Sequence, residues 1–156
     1  MPKSSVCSKG MFAAALVLGF VLPAAAAEIG QIKVAKGEVT IERSGNAQPG
    51  TVGMRLQTSD VVKTGADGSV GINMSDNSLL SLGPNSLLSL DRYEFDSTTH
   101  HGAFDTSLKQ GSLAVVSGRI AKQSPDAMTV RAPFAVLGVR GTEFVVSAHD
   151  PVATTR

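Results

Sequence analysis

The stretch NSLLSLGPNSLLSL, residues 77–90, contains the phrase Asn-Ser-Leu-Leu-Ser-Leu twice, at Asn77–Leu82 and Asn85–Leu90, with only Gly83-Pro84 between the copies. Six residues are too few for a capped helix, and the leucines do not keep a 3.6-residue spacing across the break. In Leu80-Ser81-Leu82 and Leu88-Ser89-Leu90 the leucines fall on one face and the serine on the other, which is the period of a half-buried strand. The phrase therefore predicts two neighbouring strands of one sheet, with Gly83-Pro84-Asn85-Ser86 as the reversal between them. A leucine-rich solenoid is excluded, because the eight-residue period is too short and occurs only twice.

The same pattern extends in both directions. Ile32 and Val34 alternate with Lys33, Val39 and Ile41 alternate with Thr40 and Glu42, and Gly37 marks a bend or bulge between them. Gly45-Asn46 and Pro49-Gly50 mark a loop. Leu56, Val61 and Val62 lead to Thr64, and Ala66-Asp67-Gly68-Ser69 reads as a tight turn whose Asp-Gly pair suits positive φ. Val70, Ile72 and Met74 alternate. On the far side, Tyr93 and Phe95, then Phe104, Thr106 and Leu108, then Leu113 and Val115 alternate, with a turn expected at Lys109-Gln110-Gly111. Residues 118–127 form a longer connection without a helix. Met128 and Val130 open another strand, Phe134–Leu137 reads as core, and Thr142, Phe144 and Val146 alternate after Gly141. Strands every 8 to 12 residues or so, divided by Gly, Asn, Asp and Pro, predict an all-β fold: a double-sheet sandwich or jelly-roll-like β roll of short strands.

The ends and the composition bound the function. Lys3 and Lys9 precede an apolar run, Met11–Leu22, which Pro23 breaks before Ala24–Ala27. This is the layout of a cleavable secretory signal peptide over residues 1–27, cut between Ala27 and Glu28. An apolar run of that length is shorter than the roughly 20 residues that span a bilayer, and no stable membrane insertion is expected after cleavage. The sole cysteine, Cys7, lies before the apolar core, which argues against a lipoprotein. Cleavage leaves 129 of the 156 residues, with no cysteine, so disulfides and thiolate chemistry drop out. The 14 Lys and Arg fall to 12 against 13 Asp and Glu, and the charges are interspersed, so nucleic-acid binding has no footprint. The remainder divides into one β domain, residues 28–148, and a short tail, residues 149–156.

No pattern of catalysis emerges. His100, His101 and His149 would need to converge with Asp96, Asp105 or Asp150 to hold a metal, and adjacent histidines in extended chain point to opposite sides. There is no Gly-x-Ser-x-Gly elbow and no phosphate loop. Asp91 and Glu94 read as solvent-facing, and a glycosidase cleft lacks aromatic platforms in a chain with one Tyr and no Trp. The expectation is no enzyme, no cofactor and no metal.

Several phrases then fall into an order that resembles the FecR-domain family: Thr64-Gly65, Asp76-Asn77-Ser78, Gly111 before an apolar strand, and Arg140-Gly141-Thr142-Glu143-Phe144. The resemblance runs from about Gly53 to Val146. It implies a periplasmic, double-sheet domain of jelly-roll type from a bacterial envelope protein, of the kind best known in iron-uptake regulators. Asn77 stands where the family's turn usually has Gly, and it tolerates the left-handed conformation. Regulators of this family carry a cytoplasmic anti-sigma segment and a membrane helix before the domain and a further domain after it. This chain has the signal layout in their place and ends ten residues beyond Val146, so it is not expected to hold a sigma factor itself. Thr64, Gly65, Asp76, Ser78, Gly111, Arg140, Gly141, Thr142 and Phe144 are read as folding constraints; a charged epitope at Arg140–Phe144 is the functional alternative.

By resemblance the chain is a non-catalytic, periplasmic or secreted, protein-binding accessory or sensory component of envelope signalling, with a protein partner engaged through sheet edges or loops. The alternative is a structural scaffold or adhesin-like module of the envelope or the extracellular surface. A small-ligand pocket between the sheets, lined by Phe134–Leu137, is a third use of that run. Oligomeric state is left open.

Overall fold

The computed structural model describes residues 27–139 and 143–148. Among these residues the strands are β1 (Glu28–Lys36), β2 (Val39–Arg43), β3 (Asn46–Pro49), β4 (Arg55–Gln57), β5 (Val61–Thr64), β6 (Ser69–Met74), β7 (Leu79–Leu82), β8 (Leu87–Phe95), β9 (Gly102–Val116), β10 (Met128–Ala132), β11 (Ala135–Gly138) and β12 (Glu143–Ala148), with one short helix, α1 (Arg119–Gln123). The first sheet has the order β4-β1-β6-β7-β9-β12 and the second β3-β2-β5-β8-β9-β10-β11. The fold is all-β, as the alternation predicts. Residues 1–26 of the segment expected to be a signal peptide (1–27), the motif residues Arg140, Gly141 and Thr142, and the residues from His149 on lie outside the described residues.

The leucine repeat does not form neighbouring strands. β7 and β8 never pair with each other; both run antiparallel to β9, with Leu82 opposite Leu113 and Leu88 opposite Leu108. The two copies therefore point the same way, one in each sheet, and Gly83–Ser86 is a corner between sheets rather than a reversal. An alternating phrase fixes which face is buried, but not which strand it will meet.

β9 is the matching arm. The turn expected at Lys109-Gln110-Gly111 is instead a bulge within one strand: Leu87 pairs with Gln110 and Leu88 with Leu108, leaving Lys109 as the extra residue. Burial moves accordingly from Phe104, Thr106 and Leu108 to Gly111, Leu113 and Val115, a switch of parity. At the bend Gly111 has φ +89°, and a Cβ there would meet the Cα of Ser86. A similar irregularity in β1 between Ile32 and Val34 turns Val34 outward, 47% exposed, although it shares the alternation of fully buried Ile32.

Three further readings change. The loop expected after Gly45 contains β3, which pairs with β2. Neither Asp67 nor Gly68 has positive φ; the glycine is needed because Gly68 lies against the Glu38 carbonyl. The connection after β9 contains α1. β10 runs parallel to the first half of β9, and a parallel return requires a crossover, which residues 117–127 and α1 supply.

The core lies between the sheets. Ile32, Ile72, Leu80 and Leu113 come from one side and Ile41, Val62, Leu88, Leu108 and Phe104 from the other, all at most 1% exposed. Each such side chain contributes about 1.5–3 kcal/mol on burial.

Candidate interaction surface

Two of the phrases that resemble the family, Thr64-Gly65 and Asp76-Asn77-Ser78, form hydrogen-bonded knots. At the first, the Thr64 hydroxyl donates to the Gly83 carbonyl at 2.7 Å and accepts from the Ser86 amide at 2.9 Å. The Gly65 amide donates to the Glu38 carbonyl, and the Gly65 carbonyl accepts from the Asn85 amide, both at 2.9 Å. Ser86 Oγ accepts from the Ser112 amide at 3.0 Å, across from Gly111. Thr64, Gly65 and Gly111, spread over 48 positions of sequence, thus meet at one junction.

The second knot centres on Asp76, which is fully buried. Its Oδ1 accepts from the Ser78 amide at 3.1 Å and the Tyr93 hydroxyl at 3.2 Å, and its Oδ2 from the Ser78 hydroxyl at 2.7 Å and the Ile120 amide at 3.3 Å. The Asp76 carbonyl accepts from the Arg119 amide at 2.9 Å, so one residue occupies two of the free N–H groups that open α1. Ser78 Oγ accepts from the Gly118 amide at 3.0 Å. Asn77 takes the left-handed conformation expected of it, φ +67°. Burial first, and then the Asp76 carboxylate, push the Tyr93 phenol well above its ordinary value. A second buried acid, Asp60, which no sequence motif singles out, receives Arg43 at 2.8 and 2.6 Å on its two oxygens.

The remaining candidates do not converge. Phe144 is half-buried, packs on the core and sits opposite Val115 on β9. His100 stacks on Phe95 with centroids 6.3 Å apart. Asp96 is held below the usual carboxylate range by the amides of Thr98 and Thr99, which it accepts at 2.8 and 3.3 Å in a tight turn. Among the described residues, no group of three His, Cys, Asp or Glu side chains comes together. Asp91 accepts from Ser89 and Ser107, whereas Glu94 pairs with Arg92. An open polar depression of about 350 Å³ lies over Gln31, Lys33, Arg55 and Asn73.

Phe134–Leu137, expected in the core or lining a pocket between the sheets, is at the surface. Phe134 is 81% and Val136 68% exposed, with Leu137 at the margin. The run forms the turn and outer strand of the β10–β11 hairpin, and among the described residues β11 pairs with β10 alone. Four strands end the two sheets, and they are protected unequally. β3 is polar and closes on Pro49; β4 has three residues and carries Arg55, ion-paired to Glu28. β12 opens with an exposed Glu143. β11 is also short, at four residues, but its edge has no charge, no proline and no bulge. Continuous apolarity was read as burial; an overhanging hairpin gives the same pattern.

A double-sheet β domain with an open apolar edge is the class that the fold defines. A family model described as FecR protein matches residues 60–155, more than half of the chain, and the chain belongs to the FecR family, a family of signalling regulators. β1 and β2 precede the matched segment yet pair with β6 and β5 inside it, so the sheets extend beyond it. No curated protein and no solved structure matches the chain.

Proposed function

We propose that this chain is exported, loses residues 1–27 by cleavage between Ala27 and Glu28, and acts in the periplasm or beyond as a non-catalytic, protein-binding component of envelope signalling. The uncharged apolar edge of β11 carries this reading: it offers main-chain hydrogen bonds and exposed apolar side chains to another polypeptide, as in recognition by strand addition. Thr64, Gly65, Asp76, Ser78 and Gly111 are assigned to the framework, since their polar groups and close contacts are spent within the domain. Membership of a signalling family supports the setting.

The test is a crosslinked pull-down from the native envelope with a tag after Arg156, comparing wild type with Val136→Lys. A membrane signalling protein enriched by wild type and lost with the variant is the expected result. Recovery of only wall material or surface fibre proteins would overturn it in favour of a scaffold.

A further inference from the structure

We propose that the β11 edge pairs with β11 of a second copy of this chain, antiparallel and centred on Leu137, joining the second sheets of two molecules. The inference rests on the reading of β11 as a protein-binding edge and names its occupant; envelope capture then depends on Val136 through the pair rather than by direct contact at this edge.

The register within the hairpin determines which groups are open. The Val139 amide donates to the Met128 carbonyl at 3.0 Å, so residues 128 and 139 form a hydrogen-bonded pair. Alternation then makes Val130–Leu137 and Ala132–Ala135 bonded pairs as well, and turns the N–H and C=O groups of Val136 and Gly138 outward. Each molecule thus presents two donors and two acceptors along β11.

These groups are self-complementary in one register. With Leu137 opposite Leu137 of the second copy, Val136 lies opposite Gly138 of the second copy and Gly138 opposite its Val136. Both are bonded pairs, and together they use every open group. A slip of one residue would set outward groups against inward ones. The central leucines form the non-bonded pair, in which side chains approach most closely.

Side chains and charge fit the same arrangement. Val136 and Gly138 share the outer face, so each valine would lie over a glycine of the other molecule. Gly138 is not explained by its own fold: its φ is not positive, and a Cβ there meets nothing within 4 Å. Room for the opposing valine explains it. From Ala132 to Val139 there is no charged residue, so two copies meet without like-charge repulsion. A two-fold contact of this kind closes at a dimer.

The test uses the exported protein, which after cleavage holds no cysteine of its own. Sedimentation over a concentration series should give dimer mass for wild type and monomer mass for Val136→Lys, whose exposed site leaves folding intact by circular dichroism. Under mild oxidation, Leu137→Cys should crosslink to itself and Val136→Cys should not. A monomer at every concentration, or equal crosslinking at both positions, would overturn the proposal. A monomer whose envelope capture still depends on Val136 removes the dimer but keeps the proposed function. A Leu137-centred dimer whose envelope capture ignores Val136 does the reverse.

Discussion

Thr64 and Ser86 exchange two hydrogen bonds of 2.9 Å each: the Thr64 amide donates to the Ser86 carbonyl, and the Ser86 amide donates to the Thr64 hydroxyl. Thr64 ends β5 and Ser86 precedes β8, and their contact sets the corner at which the leucine repeat passes from one sheet to the other.

Thr64→Val keeps the shape and removes the hydroxyl, leaving the buried Ser86 amide and the Gly83 carbonyl without that partner. The expected loss is about 1–3 kcal/mol in denaturant unfolding, with Thr64→Ser near wild type. Equal stability of Thr64→Val and wild type would show that the corner is held by other contacts.

Gly111→Ala meets two obstacles, a left-handed backbone and the Cα of Ser86. A loss of about 2 kcal/mol or more is expected. Because the obstruction includes backbone, adding Ser86→Ala should not restore stability. Full restoration by that second change would place the obstruction in the Ser86 hydroxyl alone.

Tyr93 makes stability depend on alkaline pH. Its phenol titrates higher in the folded chain than its ordinary value of 10.0, so the folded state retains a proton that the unfolded chain releases. This contribution is complete below about pH 10 and is lost as pH rises further. The difference in unfolding free energy between wild type and Tyr93→Phe should therefore shrink above about pH 10. A constant difference would contradict the buried Asp76–Tyr93 bond.

Processing at Ala27–Glu28 would leave β1 complete, since Glu28 is its first residue and Ile29 is already buried at 3% exposure. Intact mass and N-terminal sequencing of the exported protein should give Glu28. A start beyond Ile29 would remove a core residue and contradict the proposed boundary.

Much of the strand content was legible because alternation is local: Val70, Ile72 and Met74 are buried as their spacing predicts. Partners were not legible, since β7 and β8 carry the same phrase and enter different sheets. The bulge at Lys109 was visible only as a parity change, with buried residues at 108 and 111, and a turn residue such as Gly111 reads alike for a reversal and a bend. For the candidate surface, the phrases that resemble the family point to Asp76 and Thr64, which face inward. Phe134–Leu137 was read as core because composition does not distinguish a buried apolar strand from an exposed one.

The central claim is that β11 is where this domain meets another polypeptide. A photo-reactive side chain placed at position 136, and separately at position 48 on the polar edge strand β3, tests it directly in the native envelope. The account predicts a discrete protein adduct from position 136 and none from 48. No adduct at 136, or the same adducts at both positions, would contradict it.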